Sequence, residues 1–230
     1  MTTLLTKNHA MLTAEVQKHI TADAVIQGEY WDGSQGCFIG CLAHSSDATI
    51  LPDRFGLPLP LVRICENVFG GLPLGAARAF FAAIPAAVGR NGKDLSRVQW
   101  AFLDAQLRTL PVVPAEIQAV IDPVIAGMDL LAAGREWPKD AADAAADAAY
   151  AAADAVAAVD AVAYAAYAAA YAAYAADAAD VADHAAHAAF AAAYAAYAAA
   201  CGPGVGVMQT AADAARLRQR DTLLALIAAA

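Results

Sequence analysis

The stretch YWDGSQGCFIGCLAH, residues 30–44, holds the side chains best suited to chemistry. Cys37, Cys41 and His44 follow one another at i, i+4 and i+7, which a helix over residues 36–46 would place on one face. Thiolate sulfur and imidazole nitrogen are ligands that zinc takes. Positions i and i+7 lie about 10 Å apart along a helix axis, so a shared ion needs help from elsewhere in the chain. Cys65 is the candidate fourth ligand. The alternative chemistry is nucleophilic, with Cys41 as thiol, His44 as base, and Asp32 or Asp47 as the orienting group. Packing competes with both. Gly36 and Gly40 make a small-residue surface for close backbone approach, and the alanine-rich segment downstream is its expected partner.

A second set is D-x-x-D-H-x-x-H, from Asp180 to His187. His184 and His187, with a carboxylate one turn away, have a spacing that can hold a metal on one helix face. A polar patch is the simpler expectation. Seven of the eight tyrosines lie between Tyr150 and Tyr197, so this segment concentrates the stacking capacity of the chain. Tyr164, Tyr167, Tyr171 and Tyr174, near Asp177, Asp180, His184 and His187, are candidates for a groove that stacks a small, planar, nucleotide-like ligand. The competing expectation is that they line a helix–helix seam, within the chain or between subunits. Tyr30, Trp31 and Asp32 are further ligand-binding candidates. No coherent catalytic set emerges.

These residues must be positioned by helices. Of residues 141–200, 39 are alanine, with no Gly or Pro, so helix is the expected state. Unbroken, 60 residues would run about 90 Å. The arm either projects as a stalk or folds back as two or three helices. Its Asp, Tyr, His and Phe recur every three or four residues with a mean period slightly below 3.5, so the stripe drifts around a straight helix. Supercoiling or kinked shorter helices accommodate that drift. Alanine permits close backbone approach, and tyrosine would fill the seam.

Elsewhere the pattern is helical too. Residues 11–27 place Leu12, Val16, His19 and Ile20 on one face; DATILPDRFGLPLP reads as a loop; further helices are expected over 59–70, 76–88, 97–110, 114–133 and 208–228. The fold class expected is all-α. The expected divisions are a body over 1–136, the alanine-rich arm over 137–200, and a Gly/Pro break with a C-terminal helix over 201–230. The formal charge is −9, of which eight Asp between residues 140 and 183, with no Lys or Arg there, supply −8. A near-neutral body with an acidic arm is a poor binder of nucleic acid or anionic membrane. The start of the chain lacks a cationic region followed by an apolar one, and no uncharged apolar window of about 20 residues occurs, so a cytoplasmic protein with reduced thiols is expected.

The block YWDG-x-x-GC-x-x-GC-x-x-H, with the helix start GLPLPLVRICENVFGGLP and a helix ending AAIP, resembles an uncharacterised family of bacterial and phage-borne proteins. Tyr30, Trp31, Asp32, Gly33, Gly36, Cys37, Gly40, Cys41, His44 and Leu72-Pro73 carry the resemblance, which covers roughly residues 28–110. The chain departs from the family pattern in lacking acidic residues after LPDRFGLP and in having Gly within VFGGLP where Glu is usual. The resemblance implies a phage or mobile-element setting, in which case the host cytoplasm, and no established activity. The expected function is a non-enzymatic interaction protein: a small-molecule sponge or an inhibitor of a host defence protein, forming a homo-oligomer. The alternative is a Cys/His enzyme or zinc-site protein centred on Cys37, Cys41 and His44. A further alternative is an alanine-rich ice-binding protein, against which stand the missing Thr repeat and the Tyr ridge.

Overall fold

The computed structural model describes residues 4–155, 160–177, 181–199 and 205–230. Among them the regular structure is eleven α-helices, as an all-α chain requires. They are α1 (His9–Thr21), α2 (Phe38–Ala43), α3 (Ile50–Phe55), α4 (Leu59–Gly71), α5 (Leu74–Val88), α6 (Val98–Arg108), α7 (Ala115–Ala132), α8 (Lys139–Ala155), α9 (Asp160–Asp177), α10 (Val181–Ala199) and α11 (Val205–Ala229). Cys201, Asp180, the Gly/Pro break up to residue 204 and the side chain of Asp177 lie outside the described residues. No helix among the described residues is long and apolar enough to cross a membrane.

The chain divides into two compact units, residues 1–98 with 219–230, and residues 99–218. Composition placed a boundary at 136; contacts place α6 and α7 with the alanine helices. In the first unit, Phe38 packs against Phe69, Phe80 and Phe81 at ring-centroid distances of 6.4, 6.0 and 5.8 Å. All four rings are buried, and aromatic burial of this size dominates a core this small. The segment expected as a loop contains α3, because Leu51 and Phe55, one turn apart, both face the core. Gly56 ends it in the left-handed region (φ 69°).

Helix α2 is six residues long, shorter than the expected 36–46. Cys37 is its extended N-cap, and His44 ends it with φ 56°. The cause is Tyr30. A Cβ on Gly36 or Gly40 would overlap the Tyr30 carbonyl oxygen. The glycine surface therefore receives the Tyr30 backbone, not the alanine arm, which corrects the sequence expectation. Glu66 Oε2 accepts the Ile39 N–H at 2.8 Å and satisfies the first turn of α2. At the chain's end, Lys93 Nζ donates to the carbonyls of Ile227 (2.7 Å) and Ala228 (3.0 Å), a cation on the terminal carbonyls of α11.

In the second unit the alanine run is three helices packed side by side, α9 against both α8 and α10, with α7 against α8 and α9. Tyr174 bonds Asp147 and Tyr167 bonds Asp154, so α8 and α9 run antiparallel. Tyr164 meets Tyr194 and Tyr171 meets His187, so α9 and α10 do too. The seams are alanine: Ala165, Ala166, Ala168, Ala169, Ala170, Ala172, Ala173 and Ala175 are fully buried. The tyrosines line these seams from one outer side, reaching from helix to helix, while alanine and not tyrosine fills their interior. A tyrosine at a seam position would hold the backbones apart, whereas alanine lets dispersion contacts accumulate.

Candidate metal centre

Glu15 and His19 stand one turn apart on α1, on the side that also buries Leu12 and Val16. His44 reaches them because the left-handed cap of α2 turns the chain there. Their donor atoms converge: His44 Nε2 lies 2.7 Å from Glu15 Oε2, His19 Nε2 lies 3.2 Å from His44 Nε2, and His19 Nε2 lies 3.7 Å from Glu15 Oε2. Zinc bonds of 2.0–2.1 Å at tetrahedral angles set ligand atoms about 3.3 Å apart, within the observed spread. The three ligand atoms form a group that could hold a metal ion.

Their environment fits that role. Glu15 Oε2 is buried and has no hydrogen-bond partner, its nearest polar neighbour being His44 Nε2. A buried carboxylate oxygen is costly to leave unsatisfied, and a cation would satisfy it. His19 is 3% exposed, His44 33%. Burial, then the adjacent His44, holds His19 below the ordinary histidine range, which favours the neutral ring that ligates. The backbone of Cys41 beside the ring works weakly in the opposite direction, favouring the protonated form. Trp31 stacks on His44 at 4.9 Å and meets His19 edge-on at 5.5 Å, fixing both imidazoles. Arg54 Nη2 stands 3.9 Å from Glu15 Oε2 while Nη1 donates to the Leu42 carbonyl at 2.9 Å.

The set Cys37, Cys41 and His44 is replaced by Glu15, His19 and His44. Cys37 lies outside α2, and the thiols turn inward. Cys41 Sγ contacts the carbonyls of Gly36 (3.2 Å) and Ala24 (3.7 Å), and Cys37 Sγ that of Tyr30 (3.9 Å). Burial pushes Cys37 and Cys41 up to about 12, and Cys65 is also raised, so none is a ready thiolate. Of the first ligand-binding trio, Trp31 joins the centre. Tyr30 is exposed and acts through its backbone. Asp32 closes a turn by accepting from Ser34 and Gln35, which lowers its carboxyl to about 2. A cavity of about 390 Å³ between α1 and α5 holds none of the cluster, and His9 there spends Nε2 on the Pro85 carbonyl.

The sequence reading missed Glu15 as a candidate ligand and placed His19 only on an apolar face. The available signal was the E-x-x-x-H spacing in EVQKH.

The arm carries a separate aromatic groove of about 260 Å³ lined by Tyr150, Tyr164, Tyr167, Tyr171, His187 and Phe190. His184 packs between Tyr171 and Tyr174, at 6.4 and 5.8 Å. The described residues bring the candidate tyrosines and His187 together as a surface, and they place no metal group at His184 and His187. No family model, curated protein or solved structure matches this chain.

Proposed function

We propose that the chain is a zinc protein of the His2Glu type, acting through a metal held by Glu15, His19 and His44. The observation that carries this reading is the convergence of three donor atoms from α1 and the α2 cap around a buried carboxylate oxygen without a hydrogen bond. Three protein ligands are the count of catalytic rather than structural zinc, whose fourth ligand comes from water or substrate. Such an ion is a Lewis acid that brings bound water toward a pKa of about 7 or polarises an oxygen donor. Arg54 adds positive charge beside Glu15 and matches an anionic group on the molecule acted on. The proposed activity is therefore metal-dependent chemistry on, or capture of, a small oxygen-donor anion. This differs from the interaction protein expected from the sequence, whose supporting feature is the aromatic groove of the arm.

The test is metal analysis of full-length protein purified without chelator and dialysed against dilute zinc. The expected result is one zinc per chain in wild type and in Cys41→Ser, and under about a tenth of that in His44→Gln and Glu15→Ala. Cobalt substitution should give the visible absorption of a tetrahedral nitrogen–oxygen site. A wild-type chain that is helical by circular dichroism yet holds no zinc or cobalt refutes the proposal. Retention by His44→Gln with loss by Cys41→Ser would restore the cysteine site.

A further inference from the structure

We propose that the aromatic groove on α8, α9 and α10 binds a small organic cation of the quaternary-ammonium class. The walls are aromatic and set at angles. Tyr150 meets Tyr167 at 5.5 Å with planes 72° apart, and Tyr164 meets Tyr167 at 6.3 Å and 62°. Tyr171 continues the wall beside Tyr167 at 6.3 Å, and His187 stands 5.4 Å from Tyr171. Tyr150 and Phe190 remain 41% and 43% exposed, so the groove opens to solvent along these two residues. Ring faces are negative and attract cations, and cages of several rings are how alkylated ammonium groups are recognised.

Charge selects the occupant. Between residues 140 and 199 there are eight Asp and no Lys or Arg. Two of those carboxylates are tied to the tyrosine face itself: Tyr167 donates its hydroxyl to Asp154 at 2.8 Å, and Tyr174 donates to Asp147 at 3.0 Å. A phenol donating to a carboxylate gains electron density in its ring, which strengthens the attraction for a cation. The Arg216 guanidinium sits 5.7 Å from the centre of Phe190, so that ring already faces a cation of the chain itself, and the tyrosines are the rings left for a ligand. A nucleotide-like ligand, expected from stacking alone, would carry phosphates into this acidic field and is disfavoured. The volume, just below the range of about 300–1,000 Å³ for drug-sized ligands, suits a small molecule.

The experiment is calorimetric titration of the full chain with choline and, separately, with its neutral isostere, in which carbon replaces the quaternary nitrogen. Choline should bind and the isostere should bind at least tenfold more weakly. Tyr150→Ala changes an exposed ring and should leave the fold unaltered; it should weaken choline by about two- to thirtyfold, the range of a single cation–π contact. Tyr167→Phe keeps the ring but removes the phenol–carboxylate bond, so it and Asp154→Asn should both weaken choline binding, Tyr167→Phe less than loss of the whole ring. Equal binding of the isostere refutes the charge argument. Binding of adenosine monophosphate with the same dependence on Tyr150 would assign the groove to nucleotides. Failure of choline to bind, with a dimer in sedimentation that Tyr150→Ala dissociates, would assign it to a second copy of the chain. None of Glu15, His19 and His44 lines the groove, so these outcomes are independent of the zinc site proposed above.

Discussion

At the residue scale, the molecule separates groups that burial neutralises from groups that carboxylates hold in place. His19 could serve the apolar face of α1 and still present Nε2 to Glu15 and His44, because an imidazole is apolar on its faces and polar at two edge atoms. Tyr167 shows the opposite case. Its hydroxyl is pushed up to about 12, chiefly by donating to Asp154. Ionising it would set a phenolate against a carboxylate, so the protonated form is favoured. Removing that carboxylate removes the penalty. In an ultraviolet titration of tyrosinate, Asp154→Asn should lower the highest-titrating tyrosine toward the ordinary value of about 10. An unchanged titration curve would contradict the assigned hydrogen bond. Spacing in the sequence exposed Tyr167 and His44 as polar markers; it did not disclose their partners, Asp154 across a seam and Glu15 nearly thirty residues upstream.

At the element scale, two kinds of close approach shape the fold, and they differ in partner. At α2 the small residues are Gly36 and Gly40, and the intruder is a single carbonyl from Tyr30. At α9 the small residues are alanines, and the intruders are whole neighbouring helices. The sequence announced both surfaces, since Gly and Ala at helical spacing have no other strong use. It did not announce that the first was already occupied locally. The seam prediction follows directly. Ala168, Ala172 and Ala175 have no exposed surface. Replacing any one by Leu should destabilise the alanine unit by about 1–3 kcal/mol, measured by urea unfolding followed by circular dichroism. Neutral outcomes at all three positions would mean that the seams are loose. The missed helix α3 has a different origin: its prolines suggested a loop, yet Leu51 and Phe55 gain enough from burial to hold a short helix.

At the scale of the whole molecule, the two compact units carry different chemistry. The first unit holds the Glu15, His19 and His44 cluster beneath Trp31, and the second holds the acidic aromatic face. Zinc that binds only the folded first unit should stabilise it by mass action, by about 2.7 kcal/mol at a hundredfold excess over Kd. Hydrogen exchange should therefore slow on zinc addition in α1 and residues 24–44, with α8, α9 and α10 unaffected. Protection spread evenly over both units, or confined to the alanine helices, would place the metal elsewhere.

The sequence by itself determined the helices of the arm, the acidity of one segment and the near-neutrality of the rest. Those properties are local: alanine propensity, a period near 3.5 and the sign of each side chain need no knowledge of the fold. It also marked residues 30–44 as chemically special. Only the tertiary structure decided which atoms meet. Metal-ligand convergence requires α1 to lie against the cap of α2, and that contact depends on the phenylalanine core and on glycines that admit Tyr30. Likewise the tyrosines became an open face because alanine, with the smaller side chain, took the seams. Periodicity assigns residues to one face of a helix; packing alone decides whether that face turns inward or out.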